Sequence, residues 1–214
     1  MKRIKYSKLS KKKINRLIEA FALGLPALTA ADHADVHRNT ANRFYKRLRI
    51  RIARETINTK PLQGEIELDE SYFGGKRKGM RGRGAAHKQI VFGILERNGI
   101  VRTILVEDVS ADTLMSEIEA HTEKGCVYYT DKFRSYNSLW RFGKHNTIDH
   151  AKEFRKESYN HINGIEGFWS YAKRFLYKYN GVSKKNFFLY LKEIEWRFNH
   201  RKDRHIKEIL KKLV

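Results

Sequence analysis

A small all-helical module followed by an α/β domain with a mixed, helix-flanked sheet is the fold class the sequence predicts, and three observations predict it. Apolar residues recur at helical spacing up to about residue 54. The period then changes to strict alternation over residues 64–73. From there three strands follow one another, and helix, strand, helix, strand and helix come after them, which is the order of an α/β layout with a mixed sheet.

Within the first module, Ile14, Leu17, Ile18, Phe21 and Ala22 form one helical face that stops at Gly24, and Pro26 opens a new segment. A short helix is expected near 28–34. A third, over 39–49, has Ala41, Phe44, Tyr45 and Leu48 inside and Arg38, Asn39, Asn42, Arg43, Lys46 and Arg49 outside. Arg reads guanine, Asn reads adenine, and both reach phosphates, so this face suits a major groove. The module (1–54) reads as a DNA-binding helix-turn-helix, with a plain three-helix packing module as the alternative. Residues 55–63 lose periodicity and contain Pro61, which makes them the linker to a second domain, 64–214.

In that domain the first strand sets Ile66, Leu68 and Tyr72 on one face and Glu65, Glu67, Asp69 and Ser71 on the other. The loop 74–84 is glycine-rich and basic, with Lys76, Arg77, Lys78, Arg81 and Arg83. It lacks the Gly-Lys-Ser/Thr ending of a nucleotide P-loop; it either lies along a phosphate backbone or is a solvated hairpin tip. Strands at 89–96 and 101–109 flank Asn98-Gly99, a hairpin signal. Ser110 caps a helix carrying Leu114, Met115 and Ile118. A strand over 126–131 ends in Asp131, at the sheet edge where open α/β folds present ligand-binding groups. A helix marked by Phe133, Tyr136, Leu139 and Trp140, a brief strand near 146–150, a helix from 163 and helical cover over 186–200 and 206–213 complete the domain.

The composition names the partner class. Lys plus Arg number 45 against 24 acids in 214 residues, a net +21 spread along the whole chain. Such a balance points to an anionic polymer, although a ribosome-associated or merely soluble basic protein shares it. No apolar run is long enough for a membrane span and the N-terminus has no apolar signal core, so a cytoplasmic protein is expected. One cysteine, Cys126, excludes an intrachain disulfide and a multi-cysteine zinc site.

On the helix from 163, Ile165, Phe168, Trp169, Ala172, Leu176 and Tyr179 form an apolar stripe, with Glu166 and Lys173 on its border two turns apart. Two explanations stand for Glu166. It is either the third residue of a capping box opened by Asn163 or a carboxylate aimed into a cleft. Asp69 on the first strand, Asp131 at the tip of the fourth and Glu166 on a late helix supply three carboxylates from separate elements. Converging, they could hold two Mg²⁺ ions, with Mn²⁺ as a substitute, which clamp the attacking and leaving oxygens of a phosphodiester displacement. Lys173 could then hold the DNA strand.

Three stretches carry a resemblance: Glu-Leu-Asp-Glu-Ser-Tyr-Phe-Gly-Gly (67–75), Tyr-Thr-Asp-Lys-Phe-Arg-Ser-Tyr (129–136) and His-Ile-Asn-Gly-Ile-Glu-Gly-Phe-Trp-Ser (161–170). With the helical module before them, they resemble the DDE-type bacterial insertion-sequence transposases, a helix-turn-helix joined to an RNase H-like catalytic domain. The resemblance covers nearly the whole chain. It implies that Asp69, Asp131 and Glu166 bind metal and that Lys173 is the basic residue seven places after the third acid. It also implies binding of double-stranded DNA at the element's inverted-repeat ends, hydrolysis at the 3′ ends and attack by the freed 3′-OH on target DNA. The protein would act as a homo-oligomer on DNA, in the bacterial nucleoid. Two departures stand out. The cysteine-rich zinc ribbon of many relatives is missing, and many close relatives have Asn as the third ligand, which keeps Asn163 open beside Glu166. The remaining alternatives are a non-enzymatic helix-turn-helix regulator and an RNase H-like nuclease without strand transfer.

Overall fold

The computed structural model describes residues 9–57, 59–74, 88–97, 99–148 and 161–214. Lys76, Arg77, Lys78, Arg81 and Arg83 of the basic loop lie outside the described residues. The chain forms two compact units. The first holds the N-terminal residues to 58 together with 178–180 and 189–214, and the second holds 59–177 and 181–188.

The first unit starts with α1 (Lys11–Ala22), where the Ser10 hydroxyl accepts the Lys13 N–H and so caps the helix. Helix α2 (Ala27–Ala34) ends at Asp35 in the left-handed conformation, φ 51°, and a turn of Asp35, Val36 and His37 leads into α3 (Arg38–Ile57). Leu17, Ile18 and Phe21 of α1, Ala30 and Ala34 of α2, and Ala41, Phe44, Tyr45, Leu48 and Ile52 of α3 close one core. Trp196 of α6 (Lys184–Asn199) and Leu210 of α7 (Ile206–Lys212) complete it. The C-terminal segment, expected as cover for the second domain, thus belongs from residue 189 onward to the first unit. Helix α3 also runs to Ile57, three residues into the stretch expected as linker, because Ile52, Ala53 and Thr56 continue its buried face.

In the second unit β1 (Glu65–Phe73), β2 (Gln89–Glu96), β3 (Val101–Val106), β4 (Val127–Thr130) and β5 (Lys144–Thr147) form one sheet in the order β3-β2-β1-β4-β5. β1 and β2, and β2 and β3, are antiparallel; β1 and β4, and β4 and β5, are parallel. A three-stranded meander joined on its first strand to a parallel pair is the expected RNase H-like mixed sheet. On one side Ile66, Leu68, Phe92, Ile94 and Tyr128 pack with Leu114 and Ile118 of α4 (Ala111–His121) and with Tyr136 and Leu139. Helix α5 (Asn163–Tyr177) covers the other side.

Two local expectations change. The helix expected around 133–140 is two short 3₁₀ turns, Arg134–Tyr136 and Leu139–Arg141, and the last strand sits at 144–147 instead of 146–150. Helix α5 lies over the face of β1 that bears Glu67, Asp69 and Ser71 and leaves Glu67 1% and Ser71 5% exposed. The burial reflects close approach, for the Cβ that Gly93 lacks would stand 2.5 Å from Trp169 Cζ2 and 2.9 Å from Ile165 Cδ1.

Candidate active site

The parallel pairing of β1 with β4 sets the site. Glu65 pairs with Val127, Ile66 with Tyr128 and Glu67 with Tyr129, an offset of 62 (127 − 65). The same offset separates Asp69 from Asp131 (131 − 69 = 62). The paired register ends at Glu67 and Tyr129, where the strands run about 4.8 Å apart; two residues on, Asp69 still lies within β1 and Asp131 lies just after β4.

Each aspartate is fixed by an N–H. Trp169 Nε1 donates to Asp69 Oδ2 at 2.9 Å, and the Phe133 backbone N–H donates to Asp131 Oδ1 at 2.9 Å. The second bond closes an Asx turn that stops β4 at its tip. An ionised carboxylate has about four acceptor positions, so both keep capacity for a further partner. Burial pushes the Asp69 carboxyl up to about 7, the neighbouring Glu70 charge adds to that, and Asp131 contributes in the same direction. Hydrogen bonds from the Glu70 backbone and Trp169 oppose the shift. Glu70 Oε2 in turn accepts the Tyr136 hydroxyl at 3.0 Å; that phenol is pushed well above its ordinary value by burial and then by Glu70, Asp69 and Asp131. Negative charge is thus concentrated between the middle of β1 and the tip of β4.

Helix α5 is anchored to this edge by residues the sequence did not single out. Glu67 Oε2 accepts the Ile165 N–H at 2.9 Å, and Glu67 Oε1 meets Arg97 Nε at 3.1 Å. Arg97 also bonds Glu65 Oε2 at 3.0 Å and the His161 carbonyl, and its guanidinium lies 3.5 Å from the Tyr129 ring centroid. Gly164 makes room for this cap, because a Cβ there would stand 2.8 Å from Glu67 Oε2. Gly164 was the available signal in the stretch 161–170. It marks a close approach that nothing in the local sequence explains.

The capping box gives way to this arrangement. The first helical hydrogen bond runs from Glu166 N–H to the Ile162 carbonyl at 3.1 Å, so Asn163 lies inside the first turn of α5, and the side-chain cap comes from Glu67. Glu166 is exposed one turn before Trp169, and Lys173 is exposed one turn after it. Among the described residues no three His, Cys, Asp or Glu side chains gather to hold a metal ion. The Asp131 charge acts on Asp69, while Glu166 stands on α5, the helix that Trp169 ties to Asp69.

In the first unit, Arg38, Asn39, Asn42, Arg43 and Lys46 are exposed on α3. Arg49, expected on the same face, is 5% exposed. Its Nε meets Glu193 Oε2 at 2.6 Å and its guanidinium lies 3.8 Å from the Tyr190 ring centroid. A charge so buried is a member of the core, so Arg49 leaves the set of outward-facing contacts.

Comparison with known proteins follows the same lines. The family described as ISXO2-like transposase domain matches residues 61–199. An uncharacterized transposase-like protein of Haemophilus influenzae is 45% identical over 116 residues, 53% of this chain and 93% of that protein. Among solved structures, a chain of the simian T-cell lymphotropic virus intasome in complex with PP2A regulatory subunit B56 gamma aligns at TM-score 0.43 and 10% identity, over 86% of this chain and 68% of that one. The Mos1 transposase paired-end complex with left transposon end aligns at TM-score 0.30 and 12% identity, over 100% and 81%. At such scores neither structure adds to the fold assignment, which rests on the strand order. No helix among the described residues is long and apolar enough to cross a membrane. Over 61–199, which include both aspartates and the whole of α5, the chain belongs to the family of the ISXO2-like transposase domain.

Proposed function

We propose that this transposase binds the inverted-repeat ends of an insertion sequence and catalyses metal-dependent DNA strand cleavage and strand transfer at Asp69 and Asp131. The observation that carries the proposal is the pairing of β1 with β4, which brings two anchored carboxylates together, Asp69 from the middle of β1 and Asp131 from just after β4, near enough for the Asp131 charge to raise the Asp69 carboxyl. Their surroundings fit divalent cations. The Asp69 carboxyl is pushed up by burial and by two neighbouring carboxylates, a repulsion that a cation between them removes. Oxygen-only donors favour Mg²⁺, with Mn²⁺ as a substitute.

Asp69 and Asp131 would hold the metal, with Glu166 as third ligand from the first turn of α5 and Asn163 as the competing choice. Bound there, the ions supply Lewis-acid stabilisation of the attacking and leaving oxygens. In the first step water attacks the phosphorus at the element end, the P–O3′ bond breaks, and a 3′-OH is released. In the second, that 3′ oxygen attacks a target phosphorus, a new P–O bond forms, and the target 3′ oxygen leaves with the proton. Trp169 holds Asp69 in place during both steps, and Lys173 sets the strand beside it. Arg38, Asn39, Asn42, Arg43 and Lys46 on α3 would read the ends, with the turn before α3 acting as that of a helix-turn-helix. Lys76, Arg77, Lys78, Arg81 and Arg83 would follow the backbone of end or target DNA. Two ends must be processed together, which calls for a homo-oligomer on DNA.

The test is purified protein with Mg²⁺ or Mn²⁺ and labelled duplexes carrying the flanking inverted repeats. Nicks at the repeat boundary and joined target products are expected. End binding without any metal-dependent nick would leave a regulator, and nicks without joining a nuclease.

A further inference from the structure

In the first unit a cavity of about 290 Å³ is lined by Arg38, Asn42, Arg49, Lys178, Tyr179 and Tyr190, and the first turn of α2 closes it. Three of these side chains are cations and none is a carboxylate. Behind Arg49, Glu193 serves two guanidiniums at once, Arg49 at 2.6 Å and Arg197 at 2.8 Å. Lys178 adds an ammonium that donates to the Gly24 carbonyl at 2.6 Å, and its pKa is depressed by burial and then by the charge of Arg197. Arg38 adds a cation at the N-terminus of α3, the helix end where a positive charge is disfavoured. Of these five charged groups, four are cations.

The donors surround the cavity from different elements. Arg49 stacks on Tyr190 with its Cζ 3.8 Å from the ring centroid, and its Nη2 reaches Tyr179 Oη at 3.4 Å. That stacking turns the edge of the guanidinium, which carries the N–H donors, along the ring plane. The Asn42 amide and two phenols complete the set. A tetrahedral oxyanion offers acceptor oxygens in three dimensions, whereas the acceptor directions of a carboxylate lie close to one plane, and arginine favours phosphate through paired donors.

We propose that this cavity binds a phosphate group, taken either from a nucleic-acid backbone or from a free phosphate. The proposal does not depend on the strand-cleavage reading, since it concerns a different unit. Calorimetry with inorganic phosphate on the full chain tests it, beside Lys178→Met and Arg38→Gln. Arg38 lies exposed at the rim, so its variant stays informative should Lys178→Met fold poorly. Phosphate should bind the parent and bind at least tenfold more weakly in both variants, while Lys12→Gln, exposed on α1 and outside the cavity, binds as the parent does. Absent binding in the parent, or equal binding in both variants, overturns the proposal. The salt dependence of duplex binding separates the sources: a backbone phosphate predicts a log–log slope smaller by about 0.9 in the variants. An unchanged slope with phosphate binding lost assigns the cavity to free phosphate. A parent that binds phosphate but no duplex would instead remove the DNA reading and leave this one standing.

Discussion

At Gly93 a missing side chain decides the position of a carboxylate. Gly93 pairs with Asp69 across β1 and β2, and the space it leaves is filled by the indole whose N–H holds Asp69 Oδ2. Gly93→Ala should cost about 1–3 kcal/mol through overpacking, seen as a lower urea midpoint, and should weaken cleavage because indole and carboxylate move together. A variant as stable as the parent would show that α5 can lift off β2 freely. Glu67 makes the second such prediction. It is buried, caps α5 and meets Arg97, so Glu67→Ala should cost about 3 kcal/mol, the order found when a buried charge loses its partner. Asn163→Ala, once its capping role passes to Glu67, should stay within about 0.5 kcal/mol. Thermal or urea unfolding of both variants checks this, and a larger loss in Asn163→Ala would restore the capping box. None of this was legible in the sequence: alternation put Glu67 on the face of Asp69, but its partner on α5 lies 98 positions away (165 − 67).

Helices and strands were easier to foresee than their partners. The helical period of α1 and α3 and the alternation of β1 are local properties; the period placed the apolar inner faces of the two helices, whereas β1 is covered on both faces, with Glu67 and Ser71 buried as well. The α3 helix shows where local reasoning stops. On a helical wheel Arg49 belongs with Lys46 and Asn42, yet Glu193, 144 positions later, arrives beside it and turns that edge of the helix inward. Arg49 and Arg43 of this helix should therefore separate by assay. Arg49→Ala should cost about 3 kcal/mol of stability by leaving a buried carboxylate short of a partner. Arg43→Ala, exposed, should hold stability within about 0.5 kcal/mol. It should lose about 1–3 kcal/mol of affinity for the correct element end, and less for random duplex, if it reads a base. Unfolding curves and titrations at fixed salt measure both. The opposite pattern, a stable Arg49→Ala deficient in end binding, would return Arg49 to the DNA face. The 3₁₀ turns after Asp131 had no clear signal, since Phe133, Tyr136, Leu139 and Trp140 suit a longer helix equally well.

Over the whole molecule, the order of strands along the chain gave the α/β class, but not that β4 would join β1 instead of β3. That pairing brings two aspartates 62 positions apart to one edge. Nor did the order show that residues 189–214 would pack with the first three helices, because their apolar stripes suit any core of matching shape. The third carboxylate stays with the proposal: Glu166 stands on a helix tied to Asp69 through Trp169, while the described residues gather no three-acid cluster. The central claim is that Asp69 and Asp131 together carry metal-dependent cleavage, and one comparison tests it most directly. Cleavage of labelled element-end DNA in Mg²⁺ and in Mn²⁺ should be measured for Asp69→Asn and Asp131→Asn, with end binding followed in parallel. Each substitution keeps the side-chain shape and removes the charge that would hold the cation. Cleavage should be lost in both variants while end binding is kept or tightened as repulsion from phosphate falls. Cleavage at the parent rate in either variant would contradict the claim.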